Sequence, residues 1–140
     1  MVFKMASGES KMQEPPEEQE LIRECVRHLE FLDFEVHVNV EVVPGYSNYG
    51  KADIVARTGR TIYAIECKFI NDTNRTRKRK KVREQSLEYG SILKNKYPLY
   101  TVKSYVFTNE FPKLQFVREI TDDEANQRVA DYNARVGLRF

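Results

Sequence analysis

The chain has 140 residues, 41% hydrophobic and 31% charged, with eight Tyr and eight Phe, which suits one folded unit with a real core and argues against a disordered or two-domain chain. No apolar run approaches the roughly 20 residues that span a bilayer, and the opening MVFKMASGESKMQEPPEEQE lacks the apolar stretch of a signal peptide. The expectation is therefore an intracellular protein with no membrane partner and two reduced cysteines, cytoplasmic or, in a nucleus-containing cell or its virus, nuclear.

Residues 1–16, rich in glutamate and ending in Pro15-Pro16, read as a flexible lead-in, and residues 17–140 as the domain. From Glu17, the positions Leu21, Ile22, Cys25, Val26, Leu29 and Leu32 recur at three-and-four spacing, which predicts an amphipathic helix of about four turns with Pro16 at its start. Phe34 to Val43 alternates apolar and polar residues, as a half-buried strand does, and a loop from Gly45 to Gly50 follows. Strands are predicted over 51–57 and 61–69, joined by Thr58-Gly59-Arg60, where glycine supplies a positive φ. The second of these is nearly all apolar, the mark of a central strand. After a run of basic residues, Val82, Leu87, Tyr89, Ile92 and Leu93 fit a second helix ending near Lys96. A strand over 102–108, a short edge strand within 111–120 and a helix opened by the capping sequence Thr121-Asp-Asp-Glu124 complete the chain. The expected fold is a single α/β domain, a mixed four- to five-stranded sheet flanked by helices in the order α-β-β-β-α-β-(β)-α.

One spacing carries chemistry. Asp53 stands in Lys-Ala-Asp-Ile-Val, and Glu66-Cys67-Lys68 ends the central strand thirteen residues later. Because strand side chains alternate faces, Glu66 and Lys68 share one face while Tyr63, Ile65, Cys67 and Phe69 take the other, and a hairpin partner brings Asp53 alongside. Two carboxylates on adjacent strands are oxygen ligands suited to a hard divalent cation such as Mg²⁺, able to acidify a bound water and neutralise a phosphate. Lys68 adds a point positive charge. A solvated strand end is the bland alternative.

In this order and spacing the residues resemble the PD-(D/E)XK nucleases, the restriction-endonuclease-like superfamily that includes archaeal Holliday-junction resolvases and phage exonucleases. The resemblance covers roughly residues 17–109. Its core of helix, three-stranded meander, helix and strand matches the predicted order, its Asp matches Asp53, and its Glu-x-Lys matches Glu66 and Lys68, with Ala52 where the family has Pro. Gln85-Ser-Leu-Glu-Tyr89 looks like the Gln-x-x-x-Tyr motif of the exonuclease- and resolvase-like branches, its two ends one helical turn apart. The resemblance implies that Asp53, Glu66 and the Cys67 backbone carbonyl hold Mg²⁺ or Mn²⁺, that Lys68 and Gln85 position the water and the scissile phosphate, and that Tyr89 supports Gln85 or meets nucleic acid. The alternative for Tyr89 is a core aromatic. Several branches also place a metal-site Glu on the first helix; Glu18 fits, with Glu17, Glu20 and Glu24 as alternatives.

The net charge of +2 hides a local excess, since Arg75, Arg77, Lys78, Arg79, Lys80, Lys81 and Arg83 hold seven of the 23 basic residues. Lying between the Glu-x-Lys strand and the Gln-x-x-x-Tyr helix, they are expected to bind phosphates. Tyr46, Asn48 and Tyr49 are further candidates for base contacts, or belong to an ordinary turn. His28 and His37 stand alone, no Cys/His grouping suggests zinc, and no glycine loop cradles a nucleotide. The expected function is metal-dependent hydrolysis of nucleic acid, DNA favoured, with endo- against exonuclease action open and a homodimer a conceivable arrangement without an interface signature. The alternatives are a non-catalytic nucleic-acid-binding module of the same fold and an RNA-directed nuclease.

Overall fold

A computed structural model describes residues 16–42, 51–110 and 114–136. The first helix, α1 (Pro16–Phe31), carries Glu17 and Glu18 in its opening turn, where the positive end of the helix dipole favours them. It buries Leu21, Cys25 and Leu29. Leu32 lies just past its end and is half-exposed, because the chain turns there through Asp33 at φ 64°. Next come β1 (Glu35–Glu41), β2 (Lys51–Thr58) and β3 (Thr61–Lys68), an antiparallel meander. Gly59, in the two-residue turn between β2 and β3, takes φ 58°, the value that favours glycine.

The long helix α2 (Arg75–Lys96) returns the chain to β4 (Thr101–Thr108), which pairs parallel to β3. Its start differs from the sequence expectation, because the basic run forms the first turns of the helix itself instead of a connecting segment. The edge strand β5 (Leu114–Glu119) pairs antiparallel to β4, and α3 (Asp122–Val136) ends the described chain. Thr121 caps α3 as its sequence predicts, its Oγ1 accepting the Glu124 N–H at 3.1 Å.

The result is an α/β domain with one mixed sheet in the order β1-β2-β3-β4-β5, flanked by three helices. On one face, α1 packs Leu21, Cys25 and Leu29 against Ile54, Ala56, Ile65, Cys67 and Phe107. On the other, Leu87, Tyr89 and Leu93 of α2 and Ala125 of α3 pack against Val55, Ile62, Ala64 and Val102. The contact of α2 with the sheet depends on small residues more than on an apolar stripe, because Ser86, Gly90 and Ser91 are all buried. Ser86 Oγ lies 3.1 Å from the Ala64 carbonyl and 2.8 Å from that of Tyr105, and Ser104 Oγ donates to the Ser86 carbonyl at 2.9 Å. These polar contacts fix α2 along β3 and β4. Among the described residues no helix is long and apolar enough to cross a membrane.

Candidate active site

The β2–β3 ladder is regular from the Thr58–Thr61 pair to the Ile54–Ile65 pair. One step further on, side chains replace the backbone partners. The Asp53 N–H donates to Glu66 Oε2 at 2.9 Å, and the Cys67 N–H donates to Asp53 Oδ2 at 2.9 Å. Each acid is thus held by the other strand's backbone, and Glu66 is only 2% exposed. Carboxylates fixed by main-chain donors are pre-oriented, which long side chains on a solvated strand end are not. The bland alternative of a solvated strand end does not describe Glu66.

Tyr63, Ile65, Cys67 and Phe69 all join the α1-side cluster, as the period of two along β3 predicts. Lys68, the last residue of β3, pairs with Glu18 of α1 at 3.1 Å, and the Phe69 N–H reaches the same Glu18 oxygen at 3.4 Å. Of the four glutamates weighed for this helix, Glu18 is the one that is buried at the site. Glu20 instead binds Arg23 and Arg27 on the exposed side. In this arrangement Glu18 meets the lysine, and among the described residues no three His, Cys, Asp or Glu side chains gather as a ready metal cage. The donor chemistry at Asp53 and Glu66 nevertheless fits a hard cation that keeps some of its waters: two carboxylates on adjacent strands, with the Cys67 carbonyl on the same turn of chain.

Asn39, beside the candidate site, is the backbone feature that sequence reasoning missed. It sits opposite Asp53, and this is the position absent from an otherwise continuous β1–β2 register. Its φ is 49°, so the chain there leaves the strand conformation. The consequence is a change of face: Val36 and Val38 pack on the α1 side, whereas Val40 and Val42 pack on the α2 side. Strand β2 slips in step, with Ile54 on the α1 side and Ala52 on the α2 side. The single-faced strand expected over 34–43 is corrected accordingly. The signal was present in one letter, since Asn is among the few side chains that tolerate the left-handed region. Asn39→Gly is expected to fold with wild-type stability, whereas Asn39→Val loses about 1–2 kcal/mol in urea unfolding; equal midpoints for the two variants would refute a required left-handed Asn39.

Gln85 is exposed, its side chain forms no hydrogen bond among the described residues, and it lies one position before Ser86, which anchors α2 at Ala64 of β3. Tyr89 is 3% exposed and belongs to the core, so its ring has no face to offer a base. The nucleic-acid contact expected of Tyr89 is corrected to a packing role that holds the helix beneath Gln85.

The basic residues line the first turns of α2, which contain no acidic residue. Arg75 pairs with Asp72, Arg79 donates to Glu110 at 2.9 Å, and Lys78 donates to Asn71 at 2.7 Å. Arg77, Lys80, Lys81 and Arg83 have no ion pair among the described residues. The Arg79 guanidinium holds the Glu110 carboxyl below the usual carboxylate range. Tyr46, Asn48 and Tyr49 lie outside the described residues.

Elsewhere, burial pushes the Cys25 thiol up to about 12, with the charge of Glu24 adding to the effect, so it is not a nucleophile near neutral pH. His37 is paired with Glu35 at 2.9 Å. Comparison with protein-family models, with curated proteins and with solved structures returns no match to this chain.

Proposed function

We propose that the chain is a metal-dependent nuclease of the PD-(D/E)XK type that hydrolyses phosphodiester bonds of DNA. The observation that carries this reading is the interlock of Asp53 and Glu66 across the end of the β2–β3 ladder, beside a lysine whose ammonium is held by Glu18. Asp53, Glu66 and the Cys67 carbonyl would hold Mg²⁺ or Mn²⁺, which when bound supplies a more acidic water and neutralises phosphate charge.

The chain's own residues do the rest. The two acids are fixed by backbone N–H groups, so they need no reorganisation when substrate arrives. Lys68 is 35% exposed with its Nζ on Glu18, which leaves the ammonium accessible at a defined position. A positive charge there stabilises negative charge developing on the phosphate. Gln85, an uncommitted amide on α2, is available to hold the attacking water or a phosphate oxygen. The unpaired cations Arg77, Lys80, Lys81 and Arg83 supply the sequence-independent attraction that a nucleic-acid strand requires.

Incubating the purified chain with end-labelled single-stranded, duplex and four-way-junction DNA and with matched RNA, in Mg²⁺, Mn²⁺ and EDTA, tests the reading. DNA cleavage that needs metal and falls at least about 100-fold in Lys68→Ala is expected. Preferred cleavage of RNA would move the assignment to an RNA-directed nuclease. Binding without cleavage in every metal would assign a non-catalytic module.

A further inference from the structure

A second feature lies beside the acids on the same face of the sheet. Strand β4 runs parallel to β3 with Glu66 opposite Val106 and Lys68 opposite Thr108, so these residues of β4 lie one strand spacing, about 4.8 Å, from the site. Val106 and Thr108 line a cleft of about 290 Å³ together with Arg79, Val82 and Arg83 of α2, Glu110 and Gln115. That is near the lower end for ligand clefts: room for one backbone linkage of a nucleic acid, but not for a duplex.

The polar groups of this cleft suit an anion. Two arginines face it from α2, and Thr108 and Gln115 add a hydroxyl and an amide from the sheet. Glu110 already fills part of that role, accepting from Arg79 Nε at 2.9 Å and lying 3.9 Å from Arg75 Nε. Its backbone is fixed there as well: the Glu110 N–H donates to Thr108 Oγ1 at 3.1 Å, and the neighbouring Asn109 amide clamps Ile70 through both its oxygen (2.6 Å) and its nitrogen (2.8 Å). An arginine fork presents the same two-pronged geometry to a carboxylate and to a phosphate. Arg83, by contrast, has no partner among the described residues. The clustering of like charges at the positive end of α2 disfavours the isolated helix, and an anionic ligand relieves it.

We propose, resting on the nuclease reading above, that this cleft seats a phosphodiester neighbouring the cut bond, gripped by Arg83 and Arg79, and that Glu110 is an internal stand-in for that phosphate which the incoming strand displaces. The cleft then sets the path of the strand, leading it from the exposed cations of α2 across Thr108 towards Lys68.

The test is binding of fluorescent single-stranded and duplex oligonucleotides to the full chain in EDTA over a range of chloride concentrations, with cleavage rates measured in parallel. Arg83→Ala is expected to weaken binding about 10-fold and to flatten the plot of log Kd against log salt by about one. Glu110→Gln is expected to tighten binding several-fold and steepen that plot by about one, because it frees the Arg79 fork. Arg79→Lys, which keeps the charge and loses the fork, is expected to fall between wild type and Arg83→Ala. A wild type that cuts DNA while Arg83→Ala and Glu110→Gln bind as it does would overturn the cleft and leave the nuclease reading standing. A wild type that neither binds nor cuts would overturn both. Inorganic phosphate is expected to displace the oligonucleotide from wild type more than chloride does at equal ionic strength, and to lose that advantage in Arg83→Ala, because the free ion competes for the same cleft; equal displacement in both proteins would overturn the cleft.

Discussion

Asp53→Asn and Glu66→Gln are each expected to lower metal-dependent cleavage of DNA by about 10³-fold or more while leaving the oligonucleotide bound as tightly as before, or more tightly. The size follows from what would be removed on the nuclease reading: one of two carboxylates proposed to hold the ion, where charge stabilisation of a phosphate is worth several kcal/mol. The sign of the binding effect follows from charge, since a negative group beside a polyanion is deleted. The choice of amide matters. Asp53 Oδ2 accepts the Cys67 N–H and Glu66 Oε2 accepts the Asp53 N–H, and an Asn or Gln carbonyl still accepts those bonds, whereas alanine removes the acceptor from a part-buried donor, at about 1 kcal/mol each. Initial rates in Mg²⁺ with urea unfolding of the same samples separate the two effects. Cleavage by Asp53→Asn at the wild-type rate would sink the assignment of these acids, and an unchanged midpoint in the alanine variants would sink the claim that the carboxylates complete the ladder.

Much of the arrangement at the ends of β2 and β3 is legible in the sequence, and the reasons are local. Alternation along β3 separates Glu66 from Ile65 and Cys67, because a strand has a fixed period of two and a short hairpin fixes its register. The capping sequence at Thr121 and the glycine at 59 were equally readable, each being a residue type that one backbone geometry demands. What was hidden is what depends on partners distant in sequence. That Glu18, and not Glu17 or Glu20, is buried and meets Lys68 depends on how α1 packs on the sheet, which no pattern within a glutamate cluster encodes. The face of β1 changes at Asn39 because one left-handed residue interrupts the period, so a run of alternating valines reads as one surface when it is two. Tyr89 could be core or ligand contact by sequence, and its burial is a property of how closely α2 lies on the sheet.

That closeness leads to the second large effect. A Cβ added at Gly90 would stand 2.5 Å from Ser104 Oγ and 3.2 Å from Ile120 Cγ1. Two opposing contributions follow for Gly90→Ala. Alanine in a helix interior gains about 1 kcal/mol over glycine, and overpacking a tight contact costs about 1–3 kcal/mol. Here the clash should win, because Ser104 Oγ is not a loose chain end: it donates to the Ser86 carbonyl at 2.9 Å and has to leave that bond to make room. A net loss of about 1–2 kcal/mol is expected in thermal or urea unfolding. Adding Ser104→Ala removes the clashing oxygen, so the double variant should recover most of that loss and the cycle should show a coupling of about 1 kcal/mol or more. On the nuclease reading the effect would reach the chemistry, since the helix that Gly90 seats also carries Gln85 and Arg83. Gly90→Ala should therefore lower cleavage as well as stability, even where the protein remains fully folded, and Ser104→Ala should restore both together. Rates that stay low in a double variant whose stability has recovered would show that α2 is not the element through which Gly90 acts on the site.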